Sequence, residues 1–426
     1  MQPFKEELLH YVWKTKRIDY NNLKTTDGRS LKIQSWGHHN HDSGPDFSHA
    51  VIAIDNMTWS GNVEMHVFSS QWRKHRHHLD KAYDNVILHV VYEHDDEVYR
   101  TSGNTIPTLE LKSLIDEKLI SRYLQLIQKE SWIPCEKTIG SYPIEKAPLW
   151  LSSLLIQRLE SKVASLKTIH DYTEGDWEQT TFILLSKYMG AKVNQQPMEM
   201  MARSLDVKTI YKNKDSLIAI EALLYGQAGL LKHTKPKDPY LVILKQQYEL
   251  FQKKYNLTPI DPVAWKLSKL RPANFPHIRL SQLASILYNN NHFFSLLLSD
   301  IDIKSFQQLL KTTASEYWNT HYTFGKESSS KKKNIGNSFI EMLLINVVAP
   351  LSFYYGVSID SNDYKNRAIN LLESIKGEKN NIVKKWQDLG FPSTYASDTQ
   401  ALLQLKNEYC NNKKCLHCQI GDFLLK

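Results

Sequence analysis

The sequence predicts an α/β domain with a mixed sheet and flanking helices, followed by a large region that is mostly α-helical. Residues 31–36, 47–54 and 59–68 alternate between apolar and polar side chains as strands do, and 86–92 is a nearly continuous apolar run of strand length. From about Leu114 onward, apolar residues recur at helical spacing instead. We therefore expect domains at residues 1–130 and 131–400, and a C-terminal segment at 401–426 that contains three cysteines.

The order of elements in the first domain determines which strands are neighbours. Residues 4–15 have the apolar spacing of an amphipathic helix, and a turn at Asp55-Asn56 predicts that strands 47–54 and 59–68 form an antiparallel pair. The polar segment 69–85 opens with serines suited to capping a helix, so we expect a crossover helix there. Such a crossover would deliver strand 86–92 to the centre of the sheet, and residues 97–111 would add one or two further strands.

Composition limits the class of protein only loosely. The chain has 426 residues, of which 42% are hydrophobic and 23% charged, and its net charge is +8. This basic balance suits a DNA or RNA partner, although many metabolic enzymes are equally basic. We see no apolar run long enough to cross a membrane, and charges interrupt the N-terminus where a signal peptide would be apolar. We therefore expect a cytoplasmic protein without a membrane partner.

Two acidic residues provide the clearest chemical signal in the sequence. Asp46 precedes the second predicted strand and Glu64 lies within the third. If these strands form a hairpin, the two carboxylates can lie side by side and bind Mg²⁺ or Mn²⁺, which prefer oxygen ligands. The structural alternative is that Asp46 belongs to a common Gly-Pro-Asp turn and that Glu64 pairs with a buried arginine or lysine.

Pro45-Asp46 followed by Glu64 and His66 resembles the PD-(D/E)xK nuclease superfamily, and so does the order helix, three strands, helix, strand. The resemblance implies a restriction-endonuclease-like fold and metal-dependent cleavage of nucleic-acid phosphodiesters. It also implies that Asp46 and Glu64 bind the metal, with the Met65 carbonyl assisting and Glu7 of the first helix as an outer ligand.

His66 departs from the superfamily pattern, which has a lysine at this position. A neutral histidine could orient or deprotonate the attacking water, but it does not supply the fixed charge of a lysine. The alternative to a nuclease is therefore a catalytically inactive nucleic-acid-binding or scaffold protein that retains the fold.

The whole chain also resembles a bacterial family defined only as domain of unknown function 2851. The resemblance rests on the stretches ELLHYVWK, GNVEMH, YDNVILHVVYE, LRPANFPHIRL and YCNNKKCLHCQIG, which span nearly the full length. This family implies no settled activity.

The histidines of the first domain suggest two further interpretations. His66 and the pair His75 and His78 could face one cleft and bind zinc, which would indicate a zinc-dependent hydrolase. Alternatively, Arg73, Lys74, His75 and His78 form a basic surface that contacts nucleic-acid phosphates. His89 lies within an apolar strand, and we expect it to be a core histidine with its polar atoms paired.

The C-terminal cysteines form a moderately specific metal-binding pattern, Cys410-x4-Cys415-x2-Cys418. A closed zinc site needs four ligands, and Cys135 is the only other cysteine, so we expect the C-terminal segment to pack back near Cys135. Four thiolates suit zinc or an iron–sulfur cluster. The arrangement is similar to that of iron–sulfur nucleases of the recombination and CRISPR-adaptation type. In those proteins the lone cysteine precedes the nuclease motifs, whereas Cys135 follows them. The alternative is that the cysteines are reduced and pack as small apolar residues.

Two motifs of the helical region allow opposite interpretations. In LRPANFPHIRL, Arg279 either grips a phosphate backbone or is a buried arginine that anchors helices, and we favour the second. The run Gly226-Gln227-Ala228-Gly229 marks either a helix break or a close contact between helices.

Overall fold

The computed structural model describes residues 4–40, 43–128, 131–232, 238–268, 270–299 and 303–426. The chain divides into two units: unit 1 consists of residues 1–144 and 405–426, and unit 2 of residues 145–404. The predicted divisions at 130/131 and 400/401 thus lie at 144/145 and 404/405. The C-terminal segment belongs to the same unit as the N-terminal residues.

Unit 1 is built on a mixed sheet, as the sequence predicts. Its strands are β1 (Leu31–Ser35), β2 (His38–His39), β3 (Phe47–Ile54), β4 (Met57–Phe68), β5 (Val86–Glu93) and β6 (Thr108–Glu110). The order across the sheet is β1-β3-β4-β5-β6, with β2 paired to β3. The β1–β3 and β3–β4 pairs are antiparallel, and the β4–β5 and β5–β6 pairs are parallel.

The strands follow from local sequence patterns. Asp55 turns the β3–β4 hairpin with a positive φ of 52°, a conformation that aspartate tolerates better than most residues. Residues 86–91 of β5 are all buried, which is the pattern of a central strand covered on both faces. The β3–β4 hairpin therefore lies next to the buried strand β5, which runs parallel to β4.

The crossover between β4 and β5 is not the single polar helix that we predicted. It consists of a short helix, α2 (Gln71–Lys74), and two 3₁₀ turns at residues 77–79 and 81–83. Arg76 interrupts the helix with a left-handed φ of 64°. The indole of Trp72 is fully buried against Val86 and its neighbours, and this places the α2 turn on the sheet.

Besides α2, the described residues of unit 1 form the helices α1 (Glu7–Lys14), α3 (Glu117–Gln128) and α18 (Gln419–Leu424). Helix α1 buries one apolar face, including Leu8, Leu9 and Trp13, and packs against β4.

Unit 2 is mostly helical, in agreement with the sequence. Its helices are α4 (Ala147–Tyr172), α5 (Trp177–Met189), α6 (Gln195–Arg203), α7 (Val207–Lys212), α8 (Leu217–Gln227), α9 (Pro239–Tyr255), α10 (Pro276–Asn289), α11 (Phe293–Leu298), α12 (Ile303–Leu310), α13 (Asn337–Leu343), α14 (Ala349–Ser358), α15 (Asn362–Ser374), α16 (Asn381–Asp388) and α17 (Ala396–Gln404). A short hairpin of β7 (His321–Thr323) and β8 (Lys326–Glu327) interrupts them.

One helical stretch corrects our expectation about apolar runs. Residues 337–358 comprise α13, a π-helical turn and α14. Together they form a helix that is long and apolar enough to cross a membrane. However, 72% of the most apolar window in this stretch is buried within the protein, as in the core helix of a globular unit.

Candidate metal centre

The carboxylates of Asp46 and Glu64 lie beside each other at the end of the β3–β4 hairpin. Phe47 of β3 is paired with Val63 of β4, so the residues next to them, Asp46 and Glu64, are also neighbours. The Asp46 backbone N–H donates to Glu64 Oε2 over 3.1 Å, and the Met65 N–H donates to Asp46 Oδ2 over 2.9 Å. These two hydrogen bonds hold both acids in one place.

Helix α1 adds an acid and a histidine to this pair. His10 Nε2 lies 3.2 Å from Asp46 Oδ2. The Glu6 carboxylate interacts electrostatically with Asp46 and His75. Its Oε1 atom is buried and has no hydrogen-bond partner among the residues that the structure describes. Sequence reasoning missed His10, although it follows Glu6 by four residues and so shares its face of the helix.

Glu7, the predicted outer ligand, does not face the acid pair. Its Oε1 lies 2.9 Å from His417 Nε2, and its side chain is 41% exposed. Successive residues of a helix point about 100° apart. Glu6 therefore takes the position that we expected for Glu7.

A histidine cluster adjoins the acids. His66 Nδ1 lies 2.8 Å from His89 Nε2, and His66 Nε2 lies 3.1 Å from His75 Nδ1. One ring nitrogen each from His66, His75 and His77 lies within 4.8 Å of the other two. His77 Nε2 is also 3.3 Å from Glu64 Oε1. The histidine cluster therefore shares Glu64 with the acid pair.

The prediction that His78 accompanies His75 is wrong, because His77 takes that place. We assumed a continuous helix, in which residues three apart share a face. The left-handed Arg76 ends the helix between them.

His89 was expected to be fully paired. Its Nε2 atom contacts His66, but its buried Nδ1 atom has no partner among the described residues.

Burial and charge shift the protonation of this site. Burial raises the pKa of Glu64, and the negative charge of Asp46 raises it further. Burial lowers the pKa of His66, and repulsion from His89 lowers it further, so His66 is neutral near neutral pH. Burial opposes protonation of His10, but the hydrogen bond and charge of Asp46 raise its pKa overall. Asp46 and Glu64 therefore repel each other when both are ionised, and a bound cation would offset this repulsion.

Tyr83 is a further residue of the site, to which the sequence analysis assigned no chemical role. Its ring stacks on His77 with centroids 3.8 Å apart. Burial and the nearby charges of Glu64 and Asp46 raise the pKa of Tyr83 to about 12. The phenol therefore remains protonated and holds the His77 ring in place.

The predicted basic surface lies next to the histidines. Arg73 and Lys74 are exposed on α2, and His75 joins them to the cluster. Arg73 Nε is 3.6 Å from Asp96 Oδ2, but its side chain is 54% exposed. Such a long and weakly held ion pair leaves Arg73 accessible to an anion from solvent.

The four cysteines line one cavity in unit 1. Burial raises the pKa of the Cys135 thiol to about 12, and the neighbouring Cys418 and Cys415 contribute to this shift. Residues separated by more than 270 positions are therefore brought together, with Cys410 also on the cavity wall.

Unit 2 contains a different kind of cavity, between α11, α12, α14 and α15. Its wall includes Leu297, Phe306 and Val348, and Arg367 is the one charged residue among the described lining residues. Arg367 Nη1 donates to the Leu298 carbonyl over 3.1 Å. Without a carboxylate or histidine on its described wall, this cavity lacks groups for acid–base or metal chemistry.

Comparison with known proteins gives a family but no activity. No curated protein and no solved structure matches the chain. A family model described as "Protein of unknown function (DUF2851)" matches residues 6–381, a range that includes the acid pair, the histidine cluster and Cys135. Because this match covers most of the 426 residues, the chain belongs to the DUF2851 family.

Proposed function

We propose that unit 1 is a divalent-metal-dependent phosphodiesterase of the PD-(D/E)xK type that acts on nucleic acid. The observation that carries this proposal is the position of Asp46 and Glu64, which are held side by side by two backbone hydrogen bonds. The order of elements is compatible with it, because helix α1 is followed by the antiparallel strands β1, β3 and β4 and then by strand β5, which is parallel to β4.

The donor atoms fit a divalent cation. Asp46, Glu64 and Glu6 supply oxygens, and the buried Glu6 Oε1 has no hydrogen-bond partner among the described residues. Oxygen ligands suit Mg²⁺ and Mn²⁺, and the nearby imidazoles of His10 and His77 favour Mn²⁺ of the two. A bound ion would lower the pKa of a water ligand and offset the charge that develops on a phosphate.

His66 has a different role from the lysine of the superfamily. Its side chain is 1% exposed, and its two ring nitrogens contact His75 and His89. Because burial lowers its pKa, His66 carries no fixed positive charge. We assign to His66 the positioning of His75, and to the exposed Arg73 and Lys74 the electrostatic attraction of the phosphate backbone.

A cleavage assay tests the proposal. Single- and double-stranded DNA and RNA are incubated with the full chain and Mn²⁺ or Mg²⁺. We expect Asp46→Asn and Glu64→Gln to reduce cleavage at least about 100-fold, since each removes a metal ligand. Glu93→Gln is the matched control, because this acid lies in the same sheet but pairs with Lys112 on the surface.

The inactive alternative predicts a different result. If wild type and Asp46→Asn are equally inert on all four substrates with both ions, the enzyme proposal fails. Retained binding of nucleic acid, weakened by Arg73→Ala and Lys74→Ala, would then favour a nucleic-acid-binding or scaffold protein.

A second candidate function is a zinc-dependent hydrolase, which the cluster of His66, His75 and His77 favours. Three imidazoles within 4.8 Å of one another suit zinc, and Glu64 lies close enough to act on a zinc-bound water. Elemental analysis distinguishes the two functions. Loss of about one zinc ion per chain in the double variant His75→Gln/His77→Gln would support the zinc enzyme, whereas its retention would exclude this site.

A further inference from the structure

The cysteine cavity is formed by two segments of unit 1 that are distant in sequence. Cys410 ends a π-helical turn at residues 405–410, Cys415 begins a 3₁₀ turn at 415–417, and Cys418 directly precedes α18. Cys135 lies in another turn, where its carbonyl accepts hydrogen bonds from Thr138 and Ile139 over 2.9 and 2.8 Å. All four cysteines line one cavity.

The backbone around these cysteines is closely packed. A Cβ atom at Gly421 would lie only 2.0 Å from the Cys415 carbonyl oxygen, so α18 packs on the Cys415 turn only with glycine there. Lys413 adopts a left-handed φ of 52°, and its Nζ donates to the Ile127 carbonyl of α3 over 2.6 Å. The positions of Cys415 and Cys418 are therefore fixed by the fold.

The surroundings of the cavity favour bound metal over simple packing of reduced thiols. Cys135, Cys415 and Cys418 are buried and line the cavity together with Cys410. Lys414 lines the cavity, and the charges of Lys406 and Lys413 act on Cys410 and Cys415. Packing alone has no need of these cations, whereas a divalent ion bound by four thiolates has a net negative charge that they would offset.

We propose that Cys135, Cys410, Cys415 and Cys418 form a four-thiolate metal centre that fastens the C-terminal segment to the rest of unit 1. This centre is separate from the metal proposed at Asp46 and Glu64 and does not depend on it. Zinc and an iron–sulfur cluster share this donor set, and the experiment distinguishes them.

The proposed centre also supports helix α1. Asp422 of α18 accepts hydrogen bonds from the Tyr11 hydroxyl over 2.8 Å and from Arg17 Nη2 over 2.9 Å. His417, one residue before Cys418, pairs with Glu7. Because α1 also holds Glu6 and His10 at the acid pair, we expect metal at the cysteines to stabilise the position of both.

Elemental analysis of the anaerobically purified full chain tests the proposal. We expect about one zinc ion per chain, or instead iron and sulfide with visible charge-transfer absorption, and either result supports a four-thiolate centre. The metal should be retained in His75→Gln/His77→Gln and lost in Cys418→Ser. A metal that follows the histidines and not the cysteine would overturn the assignment.

A measurement on the wild-type chain avoids variants that fail to fold. In the folded protein, a thiol reagent should react slowly until a chelator removes the metal, after which four thiols become reactive. Reconstitution with Co²⁺ should give the intense thiolate charge-transfer bands and the ligand-field bands of tetrahedral cobalt. If no metal co-purifies, Co²⁺ gives no such bands and the chelator does not change thiol reactivity, the cysteines are packing residues and the proposal is wrong.

Discussion

Glu6 and Glu7 are consecutive in the chain, but their carboxylates belong to two different clusters. Glu6 interacts with Asp46 and His75, whereas Glu7 pairs with His417 over 2.9 Å. The rotation of about 100° between neighbours on a helix separates them. Helix α1 therefore contacts the acid pair on one side and the C-terminal segment on the other.

This arrangement predicts that the two acids differ in their importance for cleavage. We expect Glu6→Gln to reduce Mn²⁺-dependent cleavage about 10-fold or more, because it removes a carboxylate that borders the proposed ion. Glu7→Gln should change the rate less than about 2-fold, since its partner is a half-exposed histidine and such pairs contribute little. Initial rates at matched protein and metal concentrations measure both effects. A larger loss for Glu7→Gln would contradict the assignment of Glu6.

Replacing His66 by the lysine of the superfamily should not create a more active enzyme. His66 is 1% exposed and lies between His75 and His89, so an ammonium group there would be buried. The neighbouring Glu64 carboxylate, 3.8 Å from His66 Nε2, already contacts the Asp46 N–H and His77. We expect His66→Lys to lower the free energy of unfolding by about 2–4 kcal/mol. Urea unfolding measures this, with the exposed His75→Lys as control. Unchanged stability together with faster cleavage would show that the site tolerates the superfamily's lysine.

The sheet and the acid pair were predictable because short-range patterns determine them. Alternation in residues 47–54 and the Asp55-Asn56 turn predict the hairpin, and the hairpin places Asp46 beside Glu64. Arg279 was also interpreted correctly as a buried residue: it is 5% exposed, and Nη1 and Nη2 donate to Gln282 of its own helix and to Asn274 just before that helix.

The residues that sequence reasoning misplaced depend on backbone geometry that no local pattern indicates. The polar run 71–78 has helical composition, but the left-handed turn at Arg76 brings His77 rather than His78 to the cluster. The choice between Glu6 and Glu7 depends on the rotation of α1, which its buried apolar face sets against the sheet. Both errors concern the direction in which neighbouring side chains point around the helix axis. Amino-acid composition does not determine that direction.

Gly226 provides a test of packing in unit 2. A Cβ atom there would lie 1.9 Å from the Tyr248 ring, whose hydroxyl donates to Gln227 Oε1 over 2.6 Å and so resists displacement. We expect Gly226→Ala to lower the free energy of unfolding by about 1–3 kcal/mol through overpacking. Gly336→Ala is the matched control, because nothing lies within 4 Å of its added Cβ. Equal urea midpoints for the two variants would contradict the close contact between α8 and α9.

His277 predicts an acid-dependent loss of stability. The residue is 6% exposed among aromatic rings, and burial lowers the pKa of His277 from 6.5 to about 4. Between these values the unfolded chain binds a proton that the native state does not, so the free energy of unfolding falls as the pH falls from 6.5 to 4. The size of the loss at this one site is about 3 kcal/mol.

Comparison of wild type with His277→Gln isolates this contribution. The variant lacks the titrating imidazole. As the solution is acidified, the unfolding free energy of wild type should therefore fall relative to that of the variant. Urea unfolding at several pH values between 4.5 and 7.5 measures the difference, and His292→Asn, which removes an exposed histidine of unit 2, is the control variant. If the His277→Gln difference is independent of pH, the imidazole titrates alike in the folded and unfolded states, and its burial does not oppose protonation.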